Sequence, residues 1–488
     1  MTKKASEQDK IETRKRPVTF LHAILPIAFL TSIILYGLII RPLFLDQEAF
    51  TLEVIFILAS FFSVSELIFL GFSWTQIQDS VVRKIASALP AFFILFAIGV
   101  LISSWMISGT IPMMVYFGLE LVSPQYLYIL SFLIPIVFSS LTGTSWGSVG
   151  TIGVVLIGIA AALGANLGIT AGAIIGGAYF GDKMSPLSDT TNLAALAADV
   201  DLFDHIRSMM VTTIPSALLA SVAYIILGFT HPPTVQAAEL GSLKPFLDSL
   251  GVMFAFNPLL LIPPAIVFVG SLKKKPTIPT LLTSIMAACV LALIFQQYTL
   301  ADVSNSLSSG FSASMAPWAT DLPDQTIELV NRGGLYSMSQ AIFVAFLVFF
   351  FIGSIDTINA MPTVVSRVFA FAKTRSATIV ASLGASALTN SMTSNQYATS
   401  FIVGDAFKSR YDDLKIPRKV LSRSLEDYGT MIESMVPWTS TAVFMVATLG
   451  VPWADYWHWQ FLTLINLVIA PSIALLGIGC FYDEVDKK

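Results

Sequence analysis

The sequence predicts an all-α polytopic membrane protein of about 12 to 14 transmembrane segments, with two inverted repeats, re-entrant hairpins and broken helices. Three observations predict it. Of 488 residues, 55% are hydrophobic and only 12% are charged. Apolar runs long enough to cross a bilayer as helices recur along almost the whole chain. Two Ser/Thr-rich motifs, each with an acid and a proline, interrupt such runs at an offset of 251 residues, Asp182 to Glu433. This composition excludes an ordinary soluble domain. Unpaired backbone groups in hydrocarbon force the chain into helices or closed barrels, and the runs are helical in length.

Residues 1–19 are polar, carry Lys3, Lys4, Lys10, Arg14, Lys15 and Arg16, and read as a cytoplasmic N-terminus. The first apolar run, 20–40, is too long for a secretory signal and lacks a small-residue cleavage site, so a retained helix is expected. Further segments are expected near 50–72, 86–109, 124–141, 149–168, 170–200, 205–230, 251–271, 278–298, 337–355, 376–390, 392–407, 427–450 and 458–480, fourteen in all. The short pairs at 124–168 and 376–407 read as two spans each or as re-entrant hairpins, with the same parity. An N-terminus inside then gives the cytoplasmic side its own cluster, Arg83, Lys84, Arg207, Lys273 to Lys275, Arg367, Lys373 and Arg375. The same side receives Lys408, Arg410, Lys415, Arg418, Lys419, Arg423, Lys487 and Lys488. That is 23 of the 27 Lys and Arg, leaving Arg41, Lys183, Lys244 and Arg332, and it satisfies the positive-inside rule. The stretches 231–250 and 299–336 fall outside and are too short for a separate soluble domain. Cys289 and Cys480 lie in apolar runs without ligand spacing, so no disulfide framework or metal site is expected.

The two interrupting motifs are Asp182-Lys183-Met184-Ser185-Pro186-Leu187-Ser188-Asp189-Thr190-Thr191 and Glu433-Ser434-Met435-Val436-Pro437-Trp438-Thr439-Ser440-Thr441. They share the acid, Met, Pro, a hydroxyl residue and Thr. Upstream of each lies a second polar break, 142–148 (TGTSWGS) and 389–395 (TNSMTSN). In the topology above the first motif runs from outside to inside and the second from inside to outside. Inverted repeats are therefore expected at 86–230 and 337–480. Scaffold helices occupy 20–85, scaffold helices and extracytoplasmic loops 231–336, and a cytoplasmic C-terminus 481–488. Broken helices that meet near the midplane let one site face each side in turn, the architecture of a secondary transporter. Pro in a membrane helix can also be a plain kink, and Ser or Thr can back-bond to a carbonyl, so one break alone is a structural feature. Two breaks, each with an acid and repeated in inverted halves, point to a binding site. Gly164, Gly168, Gly172 and Gly176 read as close helix packing.

A carboxylate at the centre of a membrane helix costs about 2.5–3.5 kcal/mol on insertion scales. Lys183 reads as the charge partner of a neighbouring carboxylate rather than as a substrate contact. Asp189, beside Thr190, Thr191 and Asn192, offers hard oxygen ligands suited to a small hard cation. Sodium and a proton compete at such a carboxylate because either neutralises it. The same site also suits coupled transport of an organic anion held by half-helix N-termini. Asp405, and Glu426 and Asp427 at a helix start, are weaker candidates, for which a capping or charge-network role is expected at least as much as transport. Glu53 and Glu66 lie outside either repeat. His22, His205, His231 and His458 show no ligand spacing, so interfacial or capping roles are the default.

The run 180–194 (FGDKMSPLSDTTNLA) with 142–152 (TGTSWGSVGTI) resembles the signature of the NhaC-type sodium/proton antiporter family. TNSMTSNQYATSF and LEDYGTMIESMVPWTSTA are similar to that family's C-terminal half. The resemblance covers nearly all of the chain after residue 20. It implies sodium extrusion driven by proton influx across a prokaryotic cytoplasmic membrane. It also implies re-entrant hairpins with tips at 142–148 and 389–395, elevator-like movement and a homodimer. Some relatives exchange malate with protons for lactate with sodium, so the resemblance leaves the substrate open.

The expected function is Na⁺/H⁺ exchange, with Asp182 and Asp189 as the exchange carboxylates and the Na⁺ site. Thr144, Ser145, Thr190, Asn192, Asn390, Ser391 and Asn395 are the expected neutral ligands, and Glu433 is the second-half counterpart. The expected partners are Na⁺, H⁺ and membrane lipid, with no nucleic acid and no cofactor. An exchanger of small carboxylates coupled to Na⁺ and H⁺ is the alternative. An intramembrane hydrolase with paired aspartates gives no reason for the inverted duplication, and a continuous channel pore fits broken helices less well than alternating access.

Overall fold

The computed structural model describes residues 16–235 and 243–483. The basic residues Lys3 to Lys15, Lys487 and Lys488, and with them most of the predicted cytoplasmic termini, lie outside the described residues. All regular elements among the described residues are helical. In chain order they begin with α1 (Phe20–Phe44), α2 (Leu52–Phe69), α3 (Trp74–Ile107), α4 (Thr110–Leu121), α5 (Pro124–Thr142) and α6 (Ser145–Ala162). Then come α7 (Leu167–Met184), α8 (Asp189–Ala197), α9 (Leu202–Thr230), α10 (Lys244–Met253), α11 (Pro258–Leu272) and α12 (Thr277–Phe295). The short helices α13 (Leu300–Ser309) and α14 (Asp324–Val330) precede α15 (Leu335–Asp356) and α16 (Ala360–Val368). The chain closes with α17 (Arg375–Thr393), α18 (Gln396–Asp413), α19 (Arg418–Leu425), α20 (Ser440–Leu449), α21 (Trp453–Trp459) and α22 (Phe461–Leu476).

Eight of these are long and apolar enough to cross a membrane, or ten if α10 with α11 and α21 with α22 each count as one bent span. The α10/α11 bend is 93°. Every predicted segment contains helix, but those bearing the polar motifs are broken, short or too polar to count by length and apolarity alone. The helix α4 was not expected: at 12 residues it is too short to span, about 18 Å at 1.5 Å per residue. The multi-pass reading is supported by the outer surface, where α9 exposes Leu218, Val222, Ile225 and Phe229 along one face. Such a stripe suits hydrocarbon and would aggregate in water.

Between the helices, packing is close where side chains are small. On α7 a Cβ at Gly177 would lie 2.1 Å from the Phe132 carbonyl oxygen, and one at Gly181 would lie 2.4 Å from the Ser140 amide, so α5 and α7 meet backbone to backbone. The expectation of close packing holds for Gly168 and Gly172, but they face the backbone of α21, at Asp455 and Trp459, rather than the neighbouring helix in sequence.

Candidate functional site

Each polar break folds as its residues dictate. Helix α5 ends at Gly143, whose φ of +70° is the left-handed region, and a Cβ there would lie 2.7 Å from the Leu187 carbonyl carbon. Thr144 then caps α6, its Oγ1 accepting from the Gly147 amide at 3.2 Å. In the second half Ser394 takes the left-handed position, with φ +49°, and Asn395 caps α18 by accepting from the Ala398 amide at 2.9 Å. The two broken segments are also alike. Pro186 follows α7, and Ser188 caps α8 by accepting from the Thr191 amide at 3.4 Å. After Pro437, Thr439 caps α20 by accepting from the Ala442 amide at 3.1 Å. Each of these pairs sits at the same offset of 251 residues as Asp182 and Glu433.

Breaking a helix frees carbonyls, and local side chains take them up. Thr191 Oγ1 donates to the carbonyls of Asp182 (3.2 Å) and Lys183 (3.1 Å). Asn192 Nδ2 donates to those of Pro186 (3.0 Å) and Ser188 (2.5 Å). The Thr439 hydroxyl donates to the Glu433 carbonyl.

One cavity of about 310 Å³ gathers the products of both halves. Asp182, Asp189, Thr144, Ser145 and Thr190 line it from the first half, and Asn395, Gln396, Tyr397, Glu433, Ser440 and Thr441 from the second. Pro90 and Ala91 of α3 and Ser271, Lys275 and Thr280 also line the wall. The Asp182 Oδ2 accepts from the Ser145 amide (3.2 Å) and Oγ (2.7 Å), while its buried Oδ1 has no hydrogen-bond partner among the described residues. Asp189 is open to the cavity and accepts from the Tyr397 hydroxyl. Glu433 accepts from Asn390 Nδ2 and Thr441 Oγ1, both at 2.9 Å. Among the described residues no three His, Cys, Asp or Glu side chains cluster as a tight metal centre, so any cation held here would take hydroxyl and main-chain oxygens as well.

Three contacts beside this cavity join the two halves of the chain. Tyr397 reaches Asp189, the Trp146 ring stacks on Phe444 with centroids 4.3 Å apart, and Lys183 pairs with Asp427. The last places the expected charge partner elsewhere than Asp182 or Asp189: Lys183 is fully buried, turned away from the cavity, and its carboxylate lies 244 residues along the chain. Three expected ligands also stand off the cavity. The Asn192 amide is spent on the break, and Ser391 Oγ back-bonds to the Ala387 carbonyl at 2.7 Å. Asn390 does not line the cavity but holds Glu433 and Gln396 together. Residues that sequence reasoning missed are Tyr397, Gln396, Ser440 and Thr441. The constant offset was the signal that could have found them, since it pairs Trp146 with Tyr397, Ser145 with Gln396, and Asp189 with Ser440.

A multi-pass helical membrane protein with paired broken segments and a central polar cavity is built as a secondary transporter. The particular family is shown by sequence: residues 177–478 match the Na⁺/H⁺ antiporter family, and the chain belongs to it. It is 38% identical over 427 residues to an uncharacterized Na⁺/H⁺ antiporter of Haemophilus influenzae, covering 88% of this chain and 91% of that one. To the Na⁺/H⁺ antiporter NhaC of Alkalihalophilus pseudofirmus it is 34% identical, covering 84% and 87%. To the malate-2H⁺/Na⁺-lactate antiporter of Bacillus subtilis it is 31% identical, covering 85% and 87%. The expected NhaC-type resemblance is therefore borne out.

Proposed function

We propose that the chain exchanges Na⁺ for H⁺ across a prokaryotic cytoplasmic membrane, with Asp182, Asp189 and Glu433 as the carboxylates that take either ion. The single observation that carries the assignment is that three carboxylates face one cavity while the buried lysine beside them is committed to Asp427. Such a cavity attracts cations, and binding one neutralises the charge that makes movement through hydrocarbon costly. Thr144, Ser145, Thr190 and Asn395 supply neutral oxygens around the acids. The inverted repeats 86–230 and 337–480 are supported by the shared offset of tips, caps, acids and prolines. The wall includes Ser271 and Lys275, beside the basic turn that the positive-inside rule assigns to the cytoplasm, and this supports a cavity open to that side with a cytoplasmic N-terminus. A homodimer and elevator-like movement in contact with lipid complete the proposal on the strength of the family resemblance.

In inverted vesicles, Na⁺ should collapse a preformed pH gradient without any organic anion. Asp182→Asn should abolish the response; full activity in that variant would refute the assignment. Lys275 on the wall and the helix N-termini at Ser145 and Gln396 favour a second reading, exchange of small carboxylates coupled to Na⁺ and H⁺. That reading requires malate or lactate for ion movement.

A further inference from the structure

Helix α19 runs on into a π-helical turn, Glu426–Thr430. Such turns inside helices frequently mark functional positions. Asp427 on this turn holds Lys183, and Thr430 at its end lines the cavity. Glu426, at its start, is fully buried, and among the described residues neither carboxyl oxygen has a hydrogen-bond partner. It differs in this from Asp182, Asp189, Asp427 and Glu433, each of which accepts from at least one donor.

Among the described residues, the surroundings offer Glu426 no cation of its own. From α7, Asp182 and Lys183 act on it, Glu433 acts from beyond the turn, and the Thr430 hydroxyl stands near it on the turn without completing a hydrogen bond. Lys183 is held by Asp427. On α19, Arg423 lies 3.9 Å from Asp427 and donates to the Gly479 carbonyl at 2.8 Å, while Lys419 sits over the Phe481 ring. The helices α17, α18 and α22 bring the neutral amides Asn390, Gln396 and Asn466, α8 brings Asp189 in the cavity, and α9 brings Thr212 and His205. A carboxylate buried without a donor or a dedicated cation is stable only with a proton on it.

We propose that Glu426 is a proton-binding site of the exchanger separate from the cavity carboxylates. The inference rests on the Na⁺/H⁺ exchange proposed above. When Na⁺ settles among Asp182, Asp189 and Glu433, its charge disfavours the proton nearby. The Glu426 O–H bond then breaks, H⁺ leaves past the Thr430 hydroxyl into cavity water, and the carboxylate left behind is offset by the Na⁺. When Na⁺ departs, H⁺ returns and restores the acid. At Glu426 the proton and sodium thus exclude one another through their charges without sharing an atom, beside their direct competition at the cavity carboxylates, and by linkage each weakens the other equally.

The test uses the full chain in lipid nanodiscs and in proteoliposomes. Infrared spectra at neutral pH without Na⁺ should show a protonated carboxylic acid band that is missing from Glu426→Gln and shrinks when wild type is saturated with Na⁺. In proteoliposomes, uptake of radioactive sodium driven by a pH gradient should fall at least about tenfold in Glu426→Gln. Sodium self-exchange in the same vesicles should stay within about twofold. A spectrum that Glu426→Gln leaves unchanged overturns the proposal, as does a band that ignores Na⁺. So does parallel loss of self-exchange and coupled uptake in folded protein, which would make Glu426 a sodium ligand. Should Glu426→Gln fail to fold, Thr430→Val gives the same reading: slower coupled uptake with persistent self-exchange supports the route, and an unchanged coupled rate overturns it. Absence of gradient-driven uptake in wild type would refute the exchange reading, while the infrared band would still decide the state of Glu426.

Discussion

Replacing Lys183 with Met should destabilise the protein by about 3 kcal/mol, and replacing Asp427 with Leu by about 5 kcal/mol, the two ends of the range for breaking a buried ion pair. The side chains of the pair are 0% and 1% exposed, so whichever charge is left behind cannot recover its water. The asymmetry follows from the neighbours. Without Lys183, Asp427 keeps Thr212 Oγ1 at 2.9 Å, Asn466 Nδ2 at 3.2 Å and Arg423 at 3.9 Å. Without Asp427, Lys183 has no other carboxylate within ion-pair distance among the described residues, and Arg423 loses its carboxylate too. Removing both charges at once leaves neither stranded, so Lys183→Met/Asp427→Leu should lie within about 2 kcal/mol of wild type. The assay is reversible denaturant unfolding of the four proteins in detergent, analysed as a double-mutant cycle. A coupling below about 1 kcal/mol, the range of solvent-exposed pairs, would refute the conclusion that this pair is dry and joins the halves.

Gly143→Ala should cost more than the about 1–2 kcal/mol of left-handed strain, because its Cβ would also meet Leu187; Gly450→Ala, at φ +71° with open space around it, should cost the strain alone. Thermal unfolding of both variants side by side checks this, and equal losses would count against close contact between hairpin tip and break. Tyr397→Phe deletes the donor to Asp189; a hydrogen bond to a charged group is worth about 1.5–3 kcal/mol, so half-saturating Na⁺ in vesicle assays should change about tenfold or more. Outside the membrane segments, Arg418 donates to both Asp412 oxygens, at 2.9 and 2.6 Å, and holds that carboxyl below its ordinary range. A depressed value means the stabilisation is present above the unfolded pKa of about 3.9 and is lost as pH falls through the folded value. With Asp412 49% exposed, solvent screening keeps it under about 1 kcal/mol, so Asp412→Asn should destabilise slightly at pH 7 and not at all in strong acid, by denaturant titration.

Much of the site was legible because its chemistry is local. Ser, Thr and Asn at helix starts, Pro after a helix end and a glycine in the left-handed region each act within a few residues, so both tips and both breaks could be placed from sequence. The offset of 251 residues then matched them without coordinates. What escaped depends on distant chain or on side-chain direction. No local pattern says that Lys183 turns toward Asp427, nor that Tyr397 meets Asp189 from the other half. Asn192 and Ser391 carry the right atoms for a cation but are drawn instead to backbone carbonyls about one turn earlier in the chain. The helix count was uncertain for a related reason: α17, α18 and α20 carry the polar residues or the short length that the cavity needs, and those properties hide a span from hydrophobicity.

The helices α6, α8, α18 and α20 all begin at the cavity wall, at Ser145, Asp189, Gln396 and Ser440. Each helix start carries about half a positive charge, so four of them set about two positive charges against the three carboxylates. Around the acids themselves, with Lys275 counted at the basic turn rather than among them, the balance is then roughly one negative charge rather than three. A single monovalent ion brings that wall close to electrical neutrality, whereas an empty wall keeps an unbalanced charge that opposes passage through hydrocarbon. Under the exchange proposed above, a carrier with neither Na⁺ nor H⁺ bound would therefore be held back by its own electrostatics, a built-in guard against futile leakage of the ion gradient.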